Sequence, residues 1–228
     1  MFDTRLYKQS AKNCLKGRRT VACLVSLCII LIESSLYAGS FSNSVEQSKA
    51  AFNYTINVSN TNYLFLAITC FVFGVLGIAE VHFYLNAIKD SAPLKFSTFI
   101  DGCSLWLKGF MGFAWKWLWV TLWSMLFIIP GIVKFFAYSQ MFYILEEYPS
   151  LGVAKALKIS IEITKGHKAE LFWMHLSFLG WYILSAFTGG ILLIWIRPYV
   201  KTSFTFAYKA LMQRALQSGA ITQEDLQG

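Results

Sequence analysis

The chain has 228 residues, room for one domain or two small ones, and it is 56% hydrophobic but only 14% charged. Soluble proteins carry about 25% charged residues to cover their surface, so this balance excludes an ordinary water-soluble globule and makes lipid the expected solvent. The net charge of +8 does not indicate a nucleic-acid partner, because the basic residues sit at the ends of apolar runs rather than in a patch of their own.

In chain order, residues 1–19 form a basic N-terminal stretch, followed by the apolar run Thr20–Gly39. A membrane-crossing helix needs about 20 mainly apolar residues, and this run qualifies. A cleavable signal peptide, cut after Ala38, is the rival reading. The long basic preface and the length of the run favour a retained anchor. Residues 40–61 are polar, rich in Ser and Asn, and read as one external loop whose NYT and NVS triplets are formal glycosylation sequons. Asn62–Ile88 is a second span, and 89–108 returns to a basic connection.

The next run, Gly109–Leu145, would make a helix of about 55 Å, too long for a bilayer core of about 30 Å. It must fold back, and Pro130-Gly131 is the expected helix-hairpin turn, since proline removes a backbone donor and glycine permits the bend. The expected helices are Leu107–Ile129 and Ile132–Leu145; a single broken helix kinked inside the bundle is the alternative. Ser150 is the expected N-cap of an amphipathic helix over 150–166, ending at Gly166. Lys155, Lys158, Glu162 and Lys165 share one helical stripe, and with Lys168 they predict a helix at the membrane surface whose lysines face anionic lipid. Leu171–Thr188 and Ile191–Tyr208 are two further spans joined at Gly189-Gly190, and 209–228 forms a terminal tail.

Orientation follows from lysine and arginine. The N-terminus, the 89–108 and 146–170 segments and the tail share one side of this arrangement and hold nearly all the basic residues outside the spans, against Lys49 alone opposite. The positive-inside rule then places both termini in the cytoplasm and makes the chain a six-span, all-helical single membrane domain.

The segments AKNCLKG (11–17), LWSMLFIIPGIVKFFAYS (122–139), ALKISIEITKGHKAELF (156–172), LSFLGW (176–181) and PYVKTSFTFAY (198–208) resemble the bacterial integral-membrane family catalogued as domain of unknown function 975. They span nearly the whole chain. The family looks like six-helix polytopic proteins, distantly similar to membrane domains attached to some glycerophosphodiester phosphodiesterases. No agreed activity comes with the name, so the resemblance implies a topology and no catalytic residue. Arg197, just before the Pro-Tyr pair, stands where the resemblance leads one to expect an apolar residue.

Ionisable groups inside apolar spans are the functional suspects, because each Arg, Lys or Asp costs at least ~2.5–3.5 kcal/mol near the bilayer centre. Counting 1.5 Å per residue puts Glu80 and Lys116 at about 12 Å depth, and Glu33 and Arg197 at about 20 Å. Two pairs are expected, Glu80–Lys116 and Glu33–Arg197. Lys116, among Trp115, Trp117 and Trp119, also fits a snorkelling role, as does Lys134. Glu80 and His82 lie on different helix faces and do not make a ligand pair. Cys14, Cys23, Cys28, Cys70 and Cys103 form an odd set without CxxC spacing, which gives neither a disulfide framework nor a metal site. The sequence has no HExxH, GxSxG or GxxxxGK[ST] motif. The expectation is therefore a non-enzymatic accessory or scaffold protein without cofactor, in contact with the bilayer, anionic lipids and partner membrane proteins or further copies of itself. A transporter-like subunit using the buried charges is the alternative.

Overall fold

The computed structural model describes residues 2–51, 60–89 and 93–227, and every regular element among them is helical. Helix α1 (Thr4–Leu15) starts at Asp3, whose carboxylate accepts from the backbone N–H of Arg5 at 2.9 Å and of Leu6 at 3.2 Å. Tyr7, Ala11 and Leu15 recur every four residues and bury one face, so part of the basic N-terminal stretch is an ordered amphipathic helix.

Helix α2 (Arg19–Ala51) runs for 33 residues and helix α3 (Asn60–Lys89) for 30. The expected external loop at 40–61 is therefore shorter than its composition implied. Residues 40–51 continue α2 and 60–61 open α3; 52–59, with the whole of both sequons, lie outside the described residues. Arg19–Leu36 and Ala67–Lys89 are long and apolar enough to cross a membrane. A short helix, α4 (Phe96–Gly102), precedes α5 (Trp106–Leu126).

The overlong apolar run does fold back, but not at Pro130-Gly131. The break is at Phe127, extended at φ −155° and ψ 143° between α5 and α6 (Ile128–Ala137). Pro130 sits in the first turn of α6, where its missing N–H costs nothing because the first four helical donors have no partner inside the helix. Gly131 serves close packing instead: a Cβ there would lie 2.3 Å from Ser124 Oγ and 3.0 Å from Ser124 Cα. A second interruption at 138–140 separates α6 from α7 (Met141–Glu147), so the return leg is two short helices.

Helix α8 (Val153–Ile163) occupies the expected amphipathic segment, but Gly152 rather than Ser150 holds the cap position. Its apolar face packs into the body of the protein. Leu157 and Ile163 join Ile144 of α7 in one core, and Ser160 Oγ donates to the Ala137 carbonyl at 2.7 Å. Helices α9 (Lys168–Phe187) and α10 (Leu193–Gln217) meet through Gly189 and Gly190, both at positive φ. The expected tail is mostly ordered: α10 continues to Gln217, and Ile221 and Leu226 are buried in the same core as α8.

Helices α3 and α5 cross closely at two facing glycines. A Cβ on Gly74 would meet the Gly109 carbonyl oxygen at 2.7 Å, and one on Gly109 would meet the Gly74 carbonyl oxygen at 2.5 Å. The outward faces of α5 and α9 stay apolar and uncovered, from Leu118, Leu122 and Met125 to Trp173, Ile183 and Phe187.

Candidate functional site

Four ionised side chains from three helices meet inside the bundle. Arg197 and Lys201 lie one turn apart on α10 and so face the same way. Glu33 comes from α2 and Glu80, only 2% exposed, from α3. The Arg197 guanidinium clasps Glu33 with two bonds, Nη1 to Oε2 at 2.7 Å and Nη2 to Oε1 at 2.9 Å. It also donates from Nε to Glu80 Oε1 at 2.8 Å and from Nη2 to Glu80 Oε2 at 3.2 Å. Lys201 Nζ lies 2.8 Å from Glu80 Oε2. Two carboxylates balance two cations, and the planar fork of arginine allows both acids to be held at once.

Lys116 does not join this network. Its ammonium sits 4.9 Å from the centre of the Phe135 ring, and no carboxylate lies within 4 Å of it among the described residues. The expected Glu80–Lys116 pair is thus replaced by Glu80 with Arg197 and Lys201. Lys116 nevertheless shares a cavity of ≈ 320 Å³ with Glu33, Glu80, Arg197, His175 and Gln140. His175 directs Nδ1 at the Leu171 carbonyl at 2.8 Å. Gln140, 1% exposed, donates to Ser139 Oγ at 2.8 Å, while its Oε1 has no hydrogen-bond partner among the described residues. The cavity therefore offers one unpaired ammonium and one free amide acceptor beside a neutralised ion network.

The surface lysines do not form a common array. Lys155 Nζ donates to the Gln227 carbonyl at 2.9 Å, so it pins the C-terminal segment of its own chain. Lys165 lies 3.6 Å from Glu162, Lys158 is exposed, and Lys168 opens α9 rather than continuing α8. Residue-by-residue reading overlooked a second set of polar ties near the end of α7. Glu146 bonds His82, which also takes an amide bond from Asn86 at 2.9 Å, and Glu147 bonds Lys209 and accepts from Tyr208 Oη at 2.7 Å. The adjacent acids Glu146-Glu147 at the end of an apolar run were the available signal. No cluster of three or more His, Cys, Asp or Glu side chains suited to a metal occurs among the described residues.

The charge network is thus built from α2, α3 and α10, and α5 adds Lys116 to the cavity beside it. Residues 111–215 match the family described as Protein of unknown function (DUF975). The DUF975 stretch contains Lys116, Gln140, His175, Arg197 and Lys201, whereas Glu33 and Glu80 come from helices that precede it. No curated protein and no solved structure matches the chain.

Proposed function

We propose that this chain is a multi-pass protein of the bacterial cytoplasmic membrane that acts without catalysis, as an accessory or scaffold associated with lipids or partner membrane proteins. Its crossings are α2, α3, α5, the α6–α7 pair, α9 and α10. The observation that carries the reading is the uncovered apolar surface of α5 and α9, where Met125 is 83% exposed, Trp173 64% and Phe187 84%. A face of this kind, far beyond a scattered surface leucine, marks a contact with a membrane or with a partner protein.

The basic segments gather at one end of the bundle, which supports cytoplasmic termini. Tyr7 of α1 packs with Leu211 of α10, Phe99 of α4 with Phe83 and Tyr84 of α3, and α8 with Met212 and Ile221. In this reading the Glu33–Arg197–Glu80–Lys201 network is a lock that holds α2, α3 and α10 in register.

The test is placement and flux together. Maleimide added to intact cells should label a cysteine introduced at Ser42 and leave one introduced at Ser150 untouched; the reverse pattern overturns the topology. Purified protein in dye-loaded vesicles should pass no more protons or anions than empty vesicles. A second reading, a transporter-like subunit, is favoured by the unpaired ammonium of Lys116 in the ≈ 320 Å³ cavity. Flux that disappears in Lys116→Met while the protein stays folded would establish it in place of the scaffold.

A further inference from the structure

A different groove lies where α1 passes into α2. It has a volume of ≈ 270 Å³ and extends from Lys12 and Arg19 to Leu192 and Trp195 beside the α9–α10 connection. Its floor includes the buried side chains of Leu15 and Ala22 with Pro198, and the indoles of Trp181 and Trp195 stand 48% and 58% exposed along it. The charge is confined to one end. Lys12 and Arg19 are both exposed, and neither has a carboxylate within 4 Å among the described residues. The Lys12 ammonium hangs 5.8 Å from the Tyr199 ring, at the groove wall.

The geometry points to a binding site for one anionic glycerophospholipid, its phosphate between Lys12 and Arg19 and one acyl chain laid along Leu15, Ala22 and the two tryptophans. This rests on the membrane reading above and names the lipid class and the place. The complementarity is of charge as well as shape. An anion at the cationic mouth supplies the partner that Lys12 and Arg19 lack, and a hydrocarbon chain covers indole and aliphatic surface that the protein leaves bare. A soluble anion would satisfy only the mouth, and a neutral lipid only the groove. The basic helix α8 is a poorer candidate, since Lys155 is spent on the Gln227 carbonyl.

The experiment uses the full chain in nanodiscs of phosphatidylcholine with a minor fraction of phosphatidylglycerol, released into mild detergent for native mass spectrometry. One phosphatidylglycerol retained per chain is expected, with retention about tenfold weaker in Lys12→Gln/Arg19→Gln and unchanged in Lys155→Gln/Lys158→Gln. Phosphatidylglycerol brominated in its acyl chains should quench tryptophan emission less in Trp181→Phe/Trp195→Phe than in the parent, which places the chain in the groove even if the charge variant folds poorly. Equal retention of phosphatidylcholine, or quenching indifferent to Trp181 and Trp195, overturns the site. Failure of the protein to enter phosphatidylcholine nanodiscs at all would instead overturn the membrane reading beneath it.

Discussion

Arg197 and Glu80, 117 residues apart, are joined by two hydrogen bonds at 2.8 and 3.2 Å, while the same guanidinium holds Glu33 by two more. Glu80 is buried on α3 and keeps Lys201 as a second partner, whereas no other cation lies within 4 Å of Glu33 among the described residues. Removing the arginine therefore strands one acid and half-satisfies the other. Arg197→Ala should cost about 3–5 kcal/mol, the range for breaking a buried ion pair from one side. Adding Glu33→Ala should recover part of that loss. Thermal unfolding of the four members of this double-mutant cycle in detergent checks it, and simple additivity would contradict the coupling.

The α3–α5 crossing depends on two glycines that face each other. Their would-be Cβ atoms meet backbone first: Gly109 O at 2.7 Å and Phe110 Cα at 2.8 Å from Gly74, and Gly74 O at 2.5 Å from Gly109, where the Ile78 side chain also lies at 2.8 Å. Gly74→Ala should lower stability by about 1–3 kcal/mol, as overpacking does. Gly77→Ala is the control. Its Cβ would only touch the Phe142 ring at 3.8 Å, so its melting temperature should stay within a degree or two of the parent's, on the order of the ±0.5 kcal/mol of an unstrained change.

How much of this was legible depends on which quantity a linear sequence encodes. Level along a helix is encoded only coarsely: counting rise per residue puts Glu33 and Arg197 at one depth, where they meet at 2.7 Å, but puts Glu80 about 8 Å shallower, and Glu80 bonds the same guanidinium. Azimuth is not encoded. Glu80 and Lys116 share a level too, yet Lys116 turns toward Phe135, and Glu80 takes Arg197 and its i+4 neighbour Lys201. The need for the apolar run to double back was a matter of length, but its location turned on backbone bookkeeping. Pro130 breaks a helix only past its first turn, so the chain reverses at Phe127 and uses Pro130 where no donor is missed. Helix α1 was obscured because polar residues outnumber apolar ones in it, although the Tyr7–Ala11–Leu15 spacing was present.

The C-terminal segment carries a pH dependence through the bonds between Thr222 and Asp225. The Asp225 carboxylate accepts from the Thr222 backbone N–H at 3.0 Å and from its hydroxyl at 2.8 Å, and these bonds hold its pKa below the ordinary aspartate value. A depressed carboxylate stabilises the folded form above its unfolded pKa, and that contribution is lost as pH falls through the folded value. Order at 222–227 should thus be full at neutral pH and decline in acid below the usual aspartate range. The Thr222 amide resonance followed by NMR checks this, and Asp225→Asn should flatten the response.

Lys116 gives the prediction that separates stability from function. Lys116 is half-buried beside a network already neutral without it, and among the described residues its ammonium has no carboxylate within 4 Å and lies 4.9 Å from the centre of the Phe135 ring. A cation–π contact returns about 0.5–2 kcal/mol, less than the several kcal/mol that withdrawing an ion from water costs after relaxation. A methionine of similar length keeps the packing of the stem and removes the charge. Lys116→Met should therefore melt no lower than the parent, and higher if the cavity is dry. A marked loss of stability would mean that the ammonium has an anionic partner in the folded protein, and a bound lipid or solute anion would then be the first thing to look for by mass.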